Sequence, residues 1–301
     1  MKAVQFSEYG GPEVLNVVEV DEPHAGPGQV RIVVRAAGVN PIEWKIRAGY
    51  MHEFMPVEFP AGVGAEAAGI VDEIGEGVTG VAIGDAVFGA GTGTVADYAV
   101  LNYWAGKPDD MPFDVAGGFS VATETAIRAL NFVGAKAGET VLICGAAGGV
   151  GSAAVQIARA RGITVIGTAS PPKHDYLAEL GATPTSYEPG LADRATALAP
   201  QGVDAALDLA GAGIIPELID ITGDASRVIS IVDFSAPEQG AQFSPVPQEH
   251  PEQALAEAAR LYSEGELKLR IEKTFPMEQI AEAQALSAEG HVTGKLVITV
   301  S

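Results

Sequence analysis

The stretch "TVLICGAAGGVGSAAVQIARARG", residues 140–162, decides the fold. Val141, Leu142, Ile143 and Cys144 form an unbroken apolar run, the pattern of a strand buried on both faces. A glycine cluster follows, from Gly145 to Gly151. Val150, Ala154, Ile157 and Ala158 then recur at i, i+4, i+7 and i+8, one apolar face of a helix. Gly162 is placed to end that helix. Ala146, Gly148 and Gly151 occupy the three positions of a G-x-G-x-x-G fingerprint, with Ala at the first. Gly148 lets a pyrophosphate approach the backbone, and Gly151 lets helix and strand pack closely. The N–H groups at the helix start then face the phosphates. A tight turn with no ligand needs similar glycines, but the strand–turn–helix frame favours a dinucleotide.

The rest of the chain supplies that frame. "TVIGT", "VDAALDL" and "RVISI" read as further strands, and "GSAAVQIARARG", "PKHDYLAELGA" and "GLADRATALA" as the helices between them. Alternation of this kind predicts a parallel sheet with helices on both faces. Upstream, "KAVQF", "VLNVVEV", "QVRIVVRAAGV", "EAAGIVDEIGEGV" and "GDAVFGAG" are short, Val-rich and broken by Gly and Pro, a β-rich texture. Helical periodicity starts in "DVAGGFSVATETAIRALNFVG", and the β texture returns after about Gly265, ending in "GKLVITV". The expected architecture is α/β: a Rossmann doubly wound parallel sheet, residues 116–264, inserted into a β-rich domain made of residues 1–115 and 265–301. The last strand is expected to rejoin the first domain.

Composition narrows the function. With 301 residues, two domains are the better expectation than one core. The formal charge of −21 opposes binding to a nucleic-acid backbone. The lone cysteine, Cys144, excludes an internal disulfide and fits a reducing cytosol; on its apolar strand it reads as packing. The N-terminal residues carry no secretory pattern, and no apolar run is long enough to span a membrane.

The second strand speaks to the cofactor. An NAD site places an acid about 20 residues beyond the glycines, where it holds the ribose hydroxyls. Here that place reads Thr168, Ala169, Ser170, followed by Lys173. An acid would repel a 2′-phosphate, whereas a hydroxyl and an ammonium welcome one, each charge-assisted bond contributing about 1.5–3 kcal/mol. The expected cofactor is therefore NADPH, although Lys173 could be only a solvated residue near a helix start.

On "AAGVNPIEWKIRAGY", "GAEAAGIVDEIGEGV", "GDAVFGA", "ETAIRAL", the glycine stretch, "LGA", "YSEGELK" and "GHVTGKLVITV", the chain resembles the medium-chain dehydrogenases/reductases, specifically the zinc-free quinone oxidoreductase (zeta-crystallin-like) group. The resemblance runs nearly the full length. It implies a GroES-like domain carrying both termini, a Rossmann domain, and NADPH as hydride donor. Position by position it places Asn40, Lys45 and Thr125 near the nicotinamide, and Ala147, Gly148, Gly149 and Val150 along the pyrophosphate. It places Thr168, Ser170, Lys173 and Tyr187 around the 2′-phosphate, Ile231 and Val232 beside the nicotinamide, and Lys295 close to the cofactor. It also suggests a homodimer. Two departures stand out: Lys45 where many relatives have Tyr, and Thr123 and Glu124 in "SVATETA" where small or apolar residues are common.

Zinc-dependent relatives use a Cys in "GVC" and a His in "GHE". This chain has Asn40 and Ala65 there, and its five His residues show no metal-ligand spacing, so no metal is expected. Without a Lewis acid, alcohol oxidation is disfavoured. Hydride addition to a quinone or enone is easier, because the charge spreads onto a carbonyl oxygen and needs only a donor there. Asn40 or Lys45 could be that donor, and Tyr50 could relay the proton. Each has a plainer alternative: a turn residue before Pro41, a solvated lysine, a pocket wall. The expected function is NADPH-dependent reduction of a small-molecule quinone or enone. An enoyl-thioester reductase and a cofactor-binding protein without turnover stay open as alternatives.

Overall fold

A computed structural model describes residues 1–301 except Ala212, Pro245, Val246, Gln248, Glu249 and Ser301. The chain divides into two compact units, Met1–Val121 with Leu269–Ser301, and Ala122–Lys268.

The first unit begins with β1 (Lys2–Phe6), β2 (Asn16–Glu19) and β3 (Val30–Val39), then helix α1 (Pro41–Arg47). β4 (Ala61–Gly62), β5 (Glu66–Ile74), β6 (Ala86–Gly91), β7 (Tyr98–Gly106) and α2 (Phe113–Gly117) follow. In β3, Val30, Ile32 and Val34 point inward and alternate with more exposed residues, the period-2 pattern of a strand with one buried face. From Ala36 to Val39 burial becomes continuous. β3 pairs with both β5 and β7, so β3, β5, β6 and β7 close on themselves and no sheet edge is left open there. Ile32, Leu101 and Phe275 fill the interior; a fully buried side chain of this size contributes about 1.5–3 kcal/mol.

The second unit holds α3 (Ser120–Phe132) from Ala122 onward, then β8 (Thr140–Cys144), α4 (Gly149–Ala160), β9 (Thr164–Thr168) and β10 (Thr183–Thr185). β11 (Ala205–Asp208), β12 (Val228–Ser230) and β13 (Gln242–Phe243) complete one parallel sheet in the order β10-β9-β8-β11-β12-β13. This is the doubly wound order, and it reverses between β8 and β11, where such sheets bind ligands at their carboxyl ends. The chain then returns to the first unit as β14 (Ile271–Pro276) and β15 (Lys295–Thr299). β15 lies antiparallel to β3, with Leu296 opposite Val39, which brings Lys295 to the end of β3.

Two local expectations change. The helical run at residues 114–134 is two helices, because the chain turns at Gly118 after α2. α2 presses on β3: a Cβ at Gly117 would lie 2.6 Å from the Cβ of Ala36. Helix α4 is buried at every residue from Gly151 to Ala158, so it packs on more than one face. Its glycines, alanines and serine are small enough to allow that, and Gln156 bonds both the N–H and the carbonyl of Lys268.

Candidate active site

In the second unit the glycine turn is built as the fingerprint requires, with one shift. The left-handed residue is Gly145, at φ +81°, rather than Ala146. Gly151 has no room for a side chain: a Cβ there would lie 2.2 Å from the Gly145 carbonyl oxygen. A Cβ at Gly148 would meet only the Gly145 oxygen, at 3.6 Å, so Gly148 faces open space. With Ala147, Gly149 and Val150 it borders the start of α4, whose first N–H groups have no intrahelical acceptor. That arrangement suits a phosphate.

Thr168 is buried, and its Oγ1 accepts from the Gly145 N–H at 3.2 Å. It therefore holds the glycine turn. Ser170 and Lys173 are half-buried just beyond β9, and Lys173 N–H bonds the Ser170 carbonyl. Tyr187 lies beyond β10 and is 60% exposed. The two segments meet because Thr168 pairs with Thr185 and Ala169 N–H bonds the Thr185 carbonyl. Arg194 fixes the Tyr187 loop by donating to the carbonyls of Ser186, Glu188 and Pro189. Thr125 is buried on α3, where its Oγ1 accepts from Arg128. Arg128 also pairs with Glu124 and bonds Ser244. The departure at Glu124 is thus a buried ion pair with its own arginine one turn on. Ile231 and Val232 follow β12, half-buried. Burial above all pushes the Cys144 thiol up to about 12, with Asp208 adding to it, so it stays protonated and acts as packing.

In the first unit, four polar side chains converge. Lys295 Nζ donates to Asn40 Oδ1 and to Glu66 Oε1, both at 2.7 Å. Asn40 Nδ2 donates to Glu66 Oε1 and to Glu43 Oε1, both at 3.0 Å. Glu66 Oε2 accepts from the Val121 N–H at 2.7 Å. All four side chains are buried. Gly38 makes the space: a Cβ there would lie 2.3 Å from Glu66 Oε1. The structure therefore joins Asn40 to Lys295, both expected at the site, and adds Glu43 and Glu66, which the sequence reading gave no role. The signal for Glu43 was its place three residues after the helix-leading Asn40.

Burial drives the Glu43 carboxyl up to about 7 from 4.5, helped by Glu66 and opposed by Asn40 and Lys295. Its Oε2 meets no donor. The folded state thus keeps a proton that the unfolded chain loses above about pH 4.5. Stability should be full below that point and fall as pH rises through about 7, by roughly 3 kcal/mol in all. Urea unfolding on either side of the window checks this. Glu43→Gln should flatten the difference, and an unchanged slope in that variant would assign it to another group.

Lys45 and Tyr50 gather elsewhere in the same unit, around Trp44. Lys45 Nζ lies 5.7 Å from the Trp44 ring centre, and the Tyr50 ring meets it edge-on at 6.1 Å. Tyr50 is 72% exposed. Among the described residues no carboxylate pairs with Lys45.

The description "alcohol dehydrogenase GroES-like domain" matches residues 26–108, and "zinc-binding dehydrogenase" matches residues 180–298. The human protein named quinone oxidoreductase is 30% identical over 99% of this chain and 97% of its own length. Its rat namesake is 41% identical, over 56% of this chain and 53% of that protein. Among solved structures, mycobacterial Rv1454c complexed with NADPH superposes with a TM-score of 0.86 at 26% identity, covering 100% of both chains.

Proposed function

We propose that this chain, which belongs to the quinone oxidoreductase group of the medium-chain dehydrogenases/reductases, uses NADPH to reduce a quinone or an α,β-unsaturated carbonyl compound, without zinc. The observation that carries the reading is the glycine turn at the carboxyl end of β8, beside a second strand that ends in hydroxyls and a lysine instead of an acid.

The residues present fit the cofactor. Gly148, Gly149 and Val150 would hold its pyrophosphate, and Ser170, Lys173 and Tyr187 its 2′-phosphate. Thr168 serves behind them, fixing the turn through Gly145. When bound, NADPH supplies the hydride. Lys45 is the donor best suited to the developing oxygen anion, since among the described residues no carboxylate pairs with it. Tyr50, exposed and edge-on to the Trp44 ring that Lys45 also faces, offers a hydroxyl for proton transfer. Asn40 acts differently: both its amide hydrogens and its oxygen are engaged, so it braces Glu66 and Lys295.

The residues present do not fit zinc. Ala65 offers no donor atom. Glu66 and Asn40 hold the Lys295 ammonium, which places a cation against the oxygens a metal would need. Among the described residues no three His, Cys, Asp or Glu side chains group as a metal site.

The test is a steady-state panel of quinones, enones, enoyl thioesters and, with NADP⁺, secondary alcohols. A quinone or an enone should be turned over best, and alcohols not at all. Zinc-dependent alcohol oxidation would overturn the reading, and preference for the enoyl thioester would move the substrate class.

A further inference from the structure

The reversal of the second unit's sheet holds a buried carboxylate that the reaction described above does not use. Asp208 ends β11, in register with Cys144 of β8 on one side and Ser230 of β12 on the other. It is fully buried, and no cation is recorded against it among the described residues. Two backbone N–H groups and one hydroxyl bond its carboxylate instead, and three further N–H groups bond that hydroxyl's oxygen and the Asp208 carbonyl. Asp208 Oδ1 accepts from Gly211 N–H at 2.9 Å and Ala210 N–H at 3.2 Å. Asp208 Oδ2 accepts from the Ser230 hydroxyl at 2.8 Å. Ser230 Oγ in turn accepts from Asp233 N–H at 2.9 Å and Val232 N–H at 3.1 Å. The Ile231 N–H bonds the Asp208 carbonyl at 3.2 Å.

One carboxylate and one hydroxyl thus fix the turns after two neighbouring strands. Those turns also touch: a Cβ at Gly211 would lie 3.0 Å from Val232 Cγ2. Burying a carboxylate without a cation is unfavourable, and a leucine or valine would fill the volume more cheaply. What an apolar residue would not supply is a fixed geometry for both turns, since it bonds no N–H.

We propose that Asp208, acting through Ser230, is a positioning residue for hydride transfer: it sets the turns that carry Gly211, Ile231 and Val232 against the nicotinamide. This rests on the NADPH reading above. Hydride transfer is sensitive to small displacements of donor and acceptor. The 2′-phosphate end is held by other strands, β9 and β10. Loosening these turns should therefore slow the chemical step and leave affinity for NADPH nearly intact.

Ser230→Ala removes the acceptor for Val232 and Asp233. Asp208→Asn keeps an acceptor for Ala210 and Gly211 but turns an amide N–H₂ toward Ser230. It preserves shape and serves if Ser230→Ala does not fold. Each variant should lower kcat about tenfold, with KM for NADPH changed less than about twofold. The isotope effect with NADPH deuterated at the transferred position should rise, because hydride transfer becomes more limiting. The double variant should be little worse than the poorer single one, since both break one linkage. A wild-type kcat and isotope effect in folded variants would overturn the proposal alone. Equal losses in kcat and NADPH affinity, with an unchanged isotope effect, would also overturn it. Failure of the unmodified protein to bind NADPH would overturn it together with the reading it rests on.

Discussion

Lys295→Met is expected to destabilise the first unit by about 3–5 kcal/mol, the usual cost of leaving one half of a buried ion pair alone. Glu66 would stay buried with only Asn40 and the Val121 N–H to bond it. Asn40 Oδ1 would lose its donor as well. Glu43 lies in the same cluster and would lose the one cation that favours its charged form. In melting temperature this amounts to a fall on the order of 10 °C for a unit of this size. Glu66→Leu combined with Lys295→Met should recover much of the loss, because it removes the stranded charge along with its partner. Thermal unfolding of the single and double variants decides the matter. Equal melting temperatures for Lys295→Met and the unmodified protein would mean that the pair contributes nothing.

Lys173→Ala should weaken NADPH binding about 10–100-fold and leave NADH nearly unchanged, as for the loss of one charge-assisted contact to a phosphate. Ser170 sits at the same strand end, and Tyr187 follows the neighbouring strand, so some 2′-phosphate affinity should persist. The measurement is a fluorescence titration with each cofactor. Equal weakening of both would remove Lys173 from the phosphate site and leave it a support for the turn after β9.

What the sequence made legible was whatever repeats with a short period or occupies a fixed spacing. β8 and β9 run as read, because "TVLIC" and "TVIGT" are rich in apolar and β-branched residues and lie next to glycine turns. Gly151 has no room for a side chain, as read, but what crowds it is the backbone of Gly145 and Ala146 in its own turn rather than the strand. The short strands were harder. β13 is two residues long and β10 contains a proline, so neither shows alternation. β7, "YAVLNYWAG", has the right residues, but Asn102 interrupts its apolar and aromatic run.

The site was legible only where one residue acts by its own chemistry. The glycines of the turn show by their spacing, and Lys173 stands out because no acid occupies residues 168–170. The cluster of Asn40, Glu43, Glu66 and Lys295 did not, because 255 residues separate Asn40 from Lys295 and only the pairing of β15 with β3 joins them. Lys295 was expected close to the cofactor, and its ammonium is committed to Glu66 and Asn40. Asp208 was invisible for a related reason. A carboxylate at the end of an apolar strand has no period or motif. Its partners are backbone N–H groups, which every residue but proline carries.

In the proposed reaction, hydride passes from NADPH to a quinone or enone with no metal at the site. This is tested most directly in a single turnover by protein stripped with a strong chelator and shown by elemental analysis to be metal-free. Stoichiometric NADPH, deuterated at the transferred position, is mixed with the best substrate of the panel and its absorbance followed. Full oxidation in one exponential phase is expected, slowed by the deuterium, with no change on adding zinc. NADPH that stays reduced until zinc is restored would contradict it.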